Sequence, residues 1–120
     1  MKKILICEDE YDASESMRNV LTKNNYEAFT AADGLDAIKK TKEIKPDLIL
    51  LDIRMPNLDG IDVARQIREF DTNVKIVFIS GFQSNELFKE ASKYNISNYI
   101  VKPASTEDIL KAVQVVLSAK

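Results

Sequence analysis

The 120-residue chain has no histidine and no tryptophan, a single cysteine, three glycines and three prolines. Without histidine there can be no Ser-His-Asp or Cys-His nucleophilic site and no imidazole-ligated zinc. The lone Cys7 lies inside an apolar run and has no disulfide partner, so it reads as a small core residue of a protein in a reducing cytoplasm. Long apolar stretches are also missing. The opening MKKILICEDE turns acidic after Cys7, too soon for a signal peptide, and no later run approaches the ~20 residues of a membrane span. Neither sign of charge dominates: 17 basic residues face 19 acidic ones for a net −2. That balance gives no electrostatic case for nucleic acid as a direct partner. Any chemistry must therefore rest on carboxylates, hydroxyls and lysines.

What is present is an alternation. Short β-rich runs (KILIC, YEAFT, LILL, VKIVFI and NYIV) are separated by segments with apolar residues at three- and four-residue spacing, such as Met17 and Leu21 or Ile109, Val113 and Val116. Asp33, Asp59 and Ser105 each precede an acid by three residues and read as helix caps, while Glu10 or Asp12 could cap the first helix. Five β-α repeats predict a doubly wound α/β fold with a five-stranded parallel sheet and helices on both faces, a flavodoxin-like three-layer sandwich. LILL is apolar throughout and suits a strand covered on both faces, whereas mixed YEAFT and short NYIV suit the two edges. With right-handed crossovers the simplest strand order is 2-1-3-4-5. No linker or low-complexity tract interrupts residues 1–120, which predicts one domain.

In such sheets ligands gather beyond the carboxyl ends of the strands, where the winding reverses, here between strands one and three. Strand one ends in Glu8-Asp9-Glu10, strand three in Asp52, strand four in Ser80-Gly81 and strand five in Lys102-Pro103. Singly, each has an ordinary alternative as a cap, a turn hydroxyl or a solvated ammonium. Together they converge where the topology predicts a site. Two carboxylates about 5 Å apart repel by roughly 3 kcal/mol at an effective dielectric near 20. A cluster of them without His or Cys suits a hard divalent cation, Mg²⁺ best of all. With Lys102 and Ser80 beside it, the set suits a transferring phosphoryl group, and Asp52 is the carboxylate placed to act as nucleophile and carry an aspartyl-phosphate.

The motifs ICEDE, LILLDIRMPNLDG, VFISG and NYIVKP, in this order and at this spacing, resemble those of response regulator receiver domains of two-component systems, over essentially the whole chain. The resemblance implies that Asp52 is the phosphate acceptor. It implies Mg²⁺ held by Asp9, Asp52 and the backbone carbonyl of Arg54, with Glu8 acting through water. Ser80 and Lys102 would contact the phosphoryl group, Ser80 and Tyr99 would form the switch, and the bond before Pro103 would be cis. Arg54 and Phe82 match positions that tune phosphoryl lifetime. The phosphoryl donor would be a sensor histidine kinase or a histidine phosphotransfer protein, supplied in trans because this chain has no histidine. The face formed by helix four, strand five and helix five would report the change. The domain is expected to be a cytoplasmic monomer or phosphorylation-dependent dimer without membrane contact, and not a turnover enzyme. Two departures stand out: Ser80 where threonine is commoner, and Asn95-Ile96 where Gly-Ala is common. Asn tolerates the left-handed conformation, so a helix end at Asn95 is still expected.

Rivals fare worse. An aspartate-nucleophile phosphatase would commonly show Asp-x-Asp, but Arg54 stands two residues after Asp52. A flavodoxin-like small-molecule binder would want a phosphate-cradling first loop, and EDEY would repel phosphate. A stand-alone relay or adaptor is the favoured form, with a receiver cut from a longer regulator as the alternative.

Overall fold

A computed structural model of the chain describes residues 1–55, 58–81 and 84–118. Its elements alternate strictly: β1 (Lys3–Cys7), α1 (Tyr11–Lys23), β2 (Glu27–Ala31), α2 (Gly34–Ile44), β3 (Leu48–Asp52), α3 (Gly60–Arg68), β4 (Lys75–Ser80), α4 (Asn85–Ser92), β5 (Asn98–Val101) and α5 (Thr106–Ser118). The sheet is parallel throughout, in the order β2-β1-β3-β4-β5. Fold class and strand order are thus as the sequence predicts. β2 and β4 each begin one residue later than their apolar runs suggest.

Alternation along the strands divides the core in two. Leu5, Cys7, Ile49, Leu51, Ile76 and Phe78 join Val63, Ala64 and Ile67 of α3 on one face. Ile4, Ile6, Leu48, Leu50, Val77 and Ile79 join Met17 and Leu21 of α1 and Ile109 and Val113 of α5 on the other. β3 is buried at every position, Asp52 included. Leu35, on the first turn of α2, is exposed, and the buried set of that helix is Gly34, Ala37 and Thr41. Among the described residues no helix is long and apolar enough to cross a membrane.

Three of the predicted caps form. Asp33 accepts from the Asp36 N–H at 2.8 Å, Asp59 from Asp62 at 2.9 Å and Ser105 from Asp108 at 3.0 Å. Ser84 caps α4 in the same way, whereas Glu10 at the start of α1 makes no side-chain cap bond. Asn95 takes the left-handed conformation (φ 56°), but α4 ends before it, at Ser92 with Lys93 as its C-cap. Lys45 does so too, at the C-terminus of α2 (φ 54°). A residue with a Cβ carries a steric cost there that glycine avoids. Lys45→Gly is therefore expected to stabilise the fold by about 0.5–1 kcal/mol, read as a higher urea midpoint at unchanged m-value.

Candidate functional site

The site is assembled from strand ends. In-register pairing sets Cys7 beside Leu51 and Asp52 beside Ile79, so the residues that follow β1 and the last residue of β3 meet at one edge. Backbone bonds continue past the strands and fix the loop starts. Glu8 N–H donates to the Ala31 carbonyl at 3.2 Å, Ile53 N–H to Ile79 at 3.1 Å and Lys102 N–H to Ser80 at 2.7 Å. Glu8, Asp9 and Asp52 each offer a carboxylate oxygen within 4.8 Å of the others. Asp52 is 6% exposed and Asp9 fully on the surface, so the cluster runs from the sheet outward.

Lys102 closes the other side. Its ammonium donates to Asp52 Oδ2 at 3.0 Å and lies 3.4 Å from Glu8 Oε2. The second Asp52 oxygen accepts from the Arg54 N–H at 3.0 Å. One cation cannot satisfy three carboxylates. Burial and the neighbouring Asp52 push the Glu8 carboxyl up to about 7, against the opposing pull of Lys102. Burial alone would lower the Lys102 ammonium, but its bond and attraction to Asp52 and Glu8 outweigh that and leave it raised. The site is thus short of positive charge, and all its donors are hard oxygens. That donor set fits Mg²⁺, which takes one or two carboxylates and keeps positions for water and phosphate oxygens.

Ser80 is completely buried at the end of β4. The Lys102–Pro103 bond is cis. Tyr99 is half-buried on β5, its ring 6.4 Å from Phe78 and 5.7 Å edge-on from Phe88 of α4. Phe82 lies outside the described residues, and Arg54 is exposed in the loop that follows β3. Beneath the carboxylates a cavity of about 520 Å³ is bounded by Asp52, Glu8 and Lys102 above and Met17, Leu50 and Ile109 below.

Two features were not visible in the sequence. The Cys7 thiol donates to the Met55 sulfur at 3.2 Å, and burial pushes that thiol well above its usual range, which makes it an inert packing group. Gly60 sits against the end of β3: a Cβ there would lie 2.3 Å from the Asp52 carbonyl oxygen and 2.8 Å from Ile53 Cα. Its N–H donates to the Ile53 carbonyl at 2.8 Å. Only the Asp59-Gly60 step at the start of a helix hinted at it.

Comparison with known proteins agrees with this geometry. The family model described as "Response regulator receiver domain" matches residues 4–114. Chemotaxis protein CheY of Treponema pallidum is 40% identical over 118 residues, spanning 96% of this chain and 82% of that protein. Sporulation initiation phosphotransferase F of Bacillus subtilis is 29% identical over 119 residues, spanning 99% and 96%. Among solved structures, the CheX-CheY-BeF3-Mg+2 complex from Borrelia burgdorferi superposes with a TM-score of 0.91 at 30% identity, covering 98% of this chain and 90% of that one. A carboxylate cluster at the switch of a 2-1-3-4-5 sheet, with a lysine from the last strand, is thus carried on a sequence matched nearly end to end: the chain belongs to the response regulator receiver domain family.

Proposed function

We propose that the domain accepts a phosphoryl group on Asp52 from a phosphohistidine and relays the change to a protein target through α4, β5 and α5. The observation that carries this reading is the Asp52–Lys102 contact at 3.0 Å inside a cluster of three carboxylates. Asp52 Oδ attacks phosphorus, the P–N bond to the donor imidazole breaks, and the freed imidazole takes a proton from water. Asp9, Asp52, the Arg54 carbonyl and, through water, Glu8 would hold Mg²⁺, which would supply the charge that lets two anions meet. Lys102 moves from Asp52 to a phosphoryl oxygen, and Ser80 donates a hydrogen bond to another. Both stabilise charge that develops during transfer.

Once phosphorylated, Asp52 offers Ser80 and Lys102 new acceptors, which biases two packings of the Tyr99 ring against each other. Tyr99 touches Phe88, so its movement reaches α4 directly. Arg54 and, by the family resemblance of its sequence position, Phe82 set how easily water reaches the phosphoryl group. The domain works as one unit and as a switch in the cytoplasm rather than as a turnover enzyme. Its relatives, a chemotaxis protein and a sporulation phosphotransferase, favour a relay or adaptor role.

Incubation with acetyl phosphate and Mg²⁺ followed by intact mass tests the reading. One added phosphoryl group is expected, lost when Mg²⁺ is chelated. A folded protein that gains none under these conditions would refute it.

A further inference from the structure

The helix expected to move is also the one least attached to the core. α4 buries only Ala91, whereas α1, α2 and α5 each bury three residues and α3 four. At its C-terminal end, however, it is fastened from outside. The guanidinium of Arg68, at the end of α3, donates from Nε to the Tyr94 carbonyl at 2.8 Å and from Nη2 to the Asn95 carbonyl at 3.0 Å. Its remaining nitrogen, Nη1, donates to the Asp71 carbonyl at 3.1 Å. A planar fork with donors on three nitrogens suits three fixed carbonyls, and a lysine could not hold them all. Just beyond, Ser97 N–H donates to the Ile76 carbonyl at 2.8 Å and ties the following loop to β4. The opposite end of α4 has no such anchor among the described residues. It is approached from β4 through Gly81, where an added Cβ would meet nothing within 4 Å.

We infer that Arg68 is a positioning residue that pins the C-terminal end of α4, so that switching displaces α4 as a lever about that end. The inference rests on the phosphorylation reading above. A helix held at both ends would transmit little, and one held at neither would respond without direction. Pinned at residues 94–95, α4 converts a change near Ser80 into motion of its first turn and of Phe88, the residue against Tyr99. Arg68 touches neither the carboxylate cluster nor Ser80, so its loss should leave the chemistry at Asp52 unchanged.

Amide spectra of the full chain with and without beryllium fluoride and Mg²⁺, the fluoride standing in for the phosphoryl group, test this. In the wild type the largest shifts are expected at residues 84–88 and at Tyr99, with residues 94–97 nearly unmoved. In Arg68→Ala the shifts should spread to residues 94–97 and shrink at Tyr99, and α4 amides should exchange roughly ten-fold faster, while phosphorylation by acetyl phosphate proceeds at the wild-type rate. Arg68→Lys, which keeps the charge and the stem, should show the same redistribution; this variant serves if the alanine form does not fold. A wild-type response that both folded variants reproduce, or one already centred on residues 94–97, would overturn the pivot alone. No wild-type response to beryllium fluoride would overturn the phosphorylation reading and the pivot with it.

Discussion

Replacing Lys102 with alanine is expected to slow phosphorylation of Asp52 about 100-fold while leaving Mg²⁺ binding intact or tighter. Both halves follow from the same contacts. The ammonium is the cationic partner that Asp52 and Glu8 share, at 3.0 and 3.4 Å. On the proposed phosphorylation it would neutralise a phosphoryl oxygen as the negative charge approaches. Removing one preorganised donor from such a site typically costs two to three orders of magnitude, roughly 3–4 kcal/mol of barrier. In the absence of phosphate, by contrast, the ammonium competes with Mg²⁺ for the same carboxylates, so its removal favours the metal. Rates come from intact mass against time with acetyl phosphate, and affinities from Mg²⁺ titration. A Lys102→Ala protein that phosphorylates normally would remove lysine from the chemistry. One that loses Mg²⁺ binding would show that the residue serves to build the metal site.

Gly60→Ala is expected to destabilise the fold by about 3 kcal/mol, or roughly 10 °C in midpoint, and to impair phosphorylation beyond what unfolding explains. The added Cβ would meet backbone, not a flexible side chain, at 2.3 Å from the Asp52 carbonyl oxygen. Neither side can yield without moving either the end of β3 or the start of α3. α3 is anchored by Val63, Ala64 and Ile67 in the core and by the Asp59 cap, so the strain falls on Asp52, the proposed acceptor. Misplacement of a reacting atom by about 1 Å can cost about 100-fold in rate. Thermal unfolding measures the first effect, and the phosphorylation rate of protein kept well below its midpoint measures the second. A midpoint within a degree or two of wild type would contradict the close approach.

How much of this was legible in the sequence depends on the range of the interaction. β3 was readable because four aliphatic residues in a row have no amphipathic alternative, and their end at Asp52 placed a carboxylate at the switch point. The edge strands were readable from mixed polarity and short length. Caps were readable because Asp33, Asp59 and Ser105 act on N–H groups three residues away. The inward face of α2 was not readable from Leu35, because hydrophobicity on the first turn of a helix does not say which side of the turn faces the sheet. Gly60 was missed because its reason is a backbone eight residues earlier that returns to it only in three dimensions. Arg68 was missed for the same reason: its partners are carbonyls 26 and 27 residues on, and a carbonyl leaves no mark in a sequence. The joining of Glu8 to Lys102 across 94 residues was legible only through the strand order that brings their loops together.

The most direct test of the account is chemical identification of the modified residue. Protein treated with acetyl phosphate and Mg²⁺ is reduced with borohydride, which converts an aspartyl-phosphate to homoserine, and the peptides are sequenced by mass. Homoserine at position 52, and at no other aspartate, is the predicted result, with none formed in Asp52→Asn. Homoserine elsewhere, or phosphate retained through reduction on a serine such as Ser80, would contradict it.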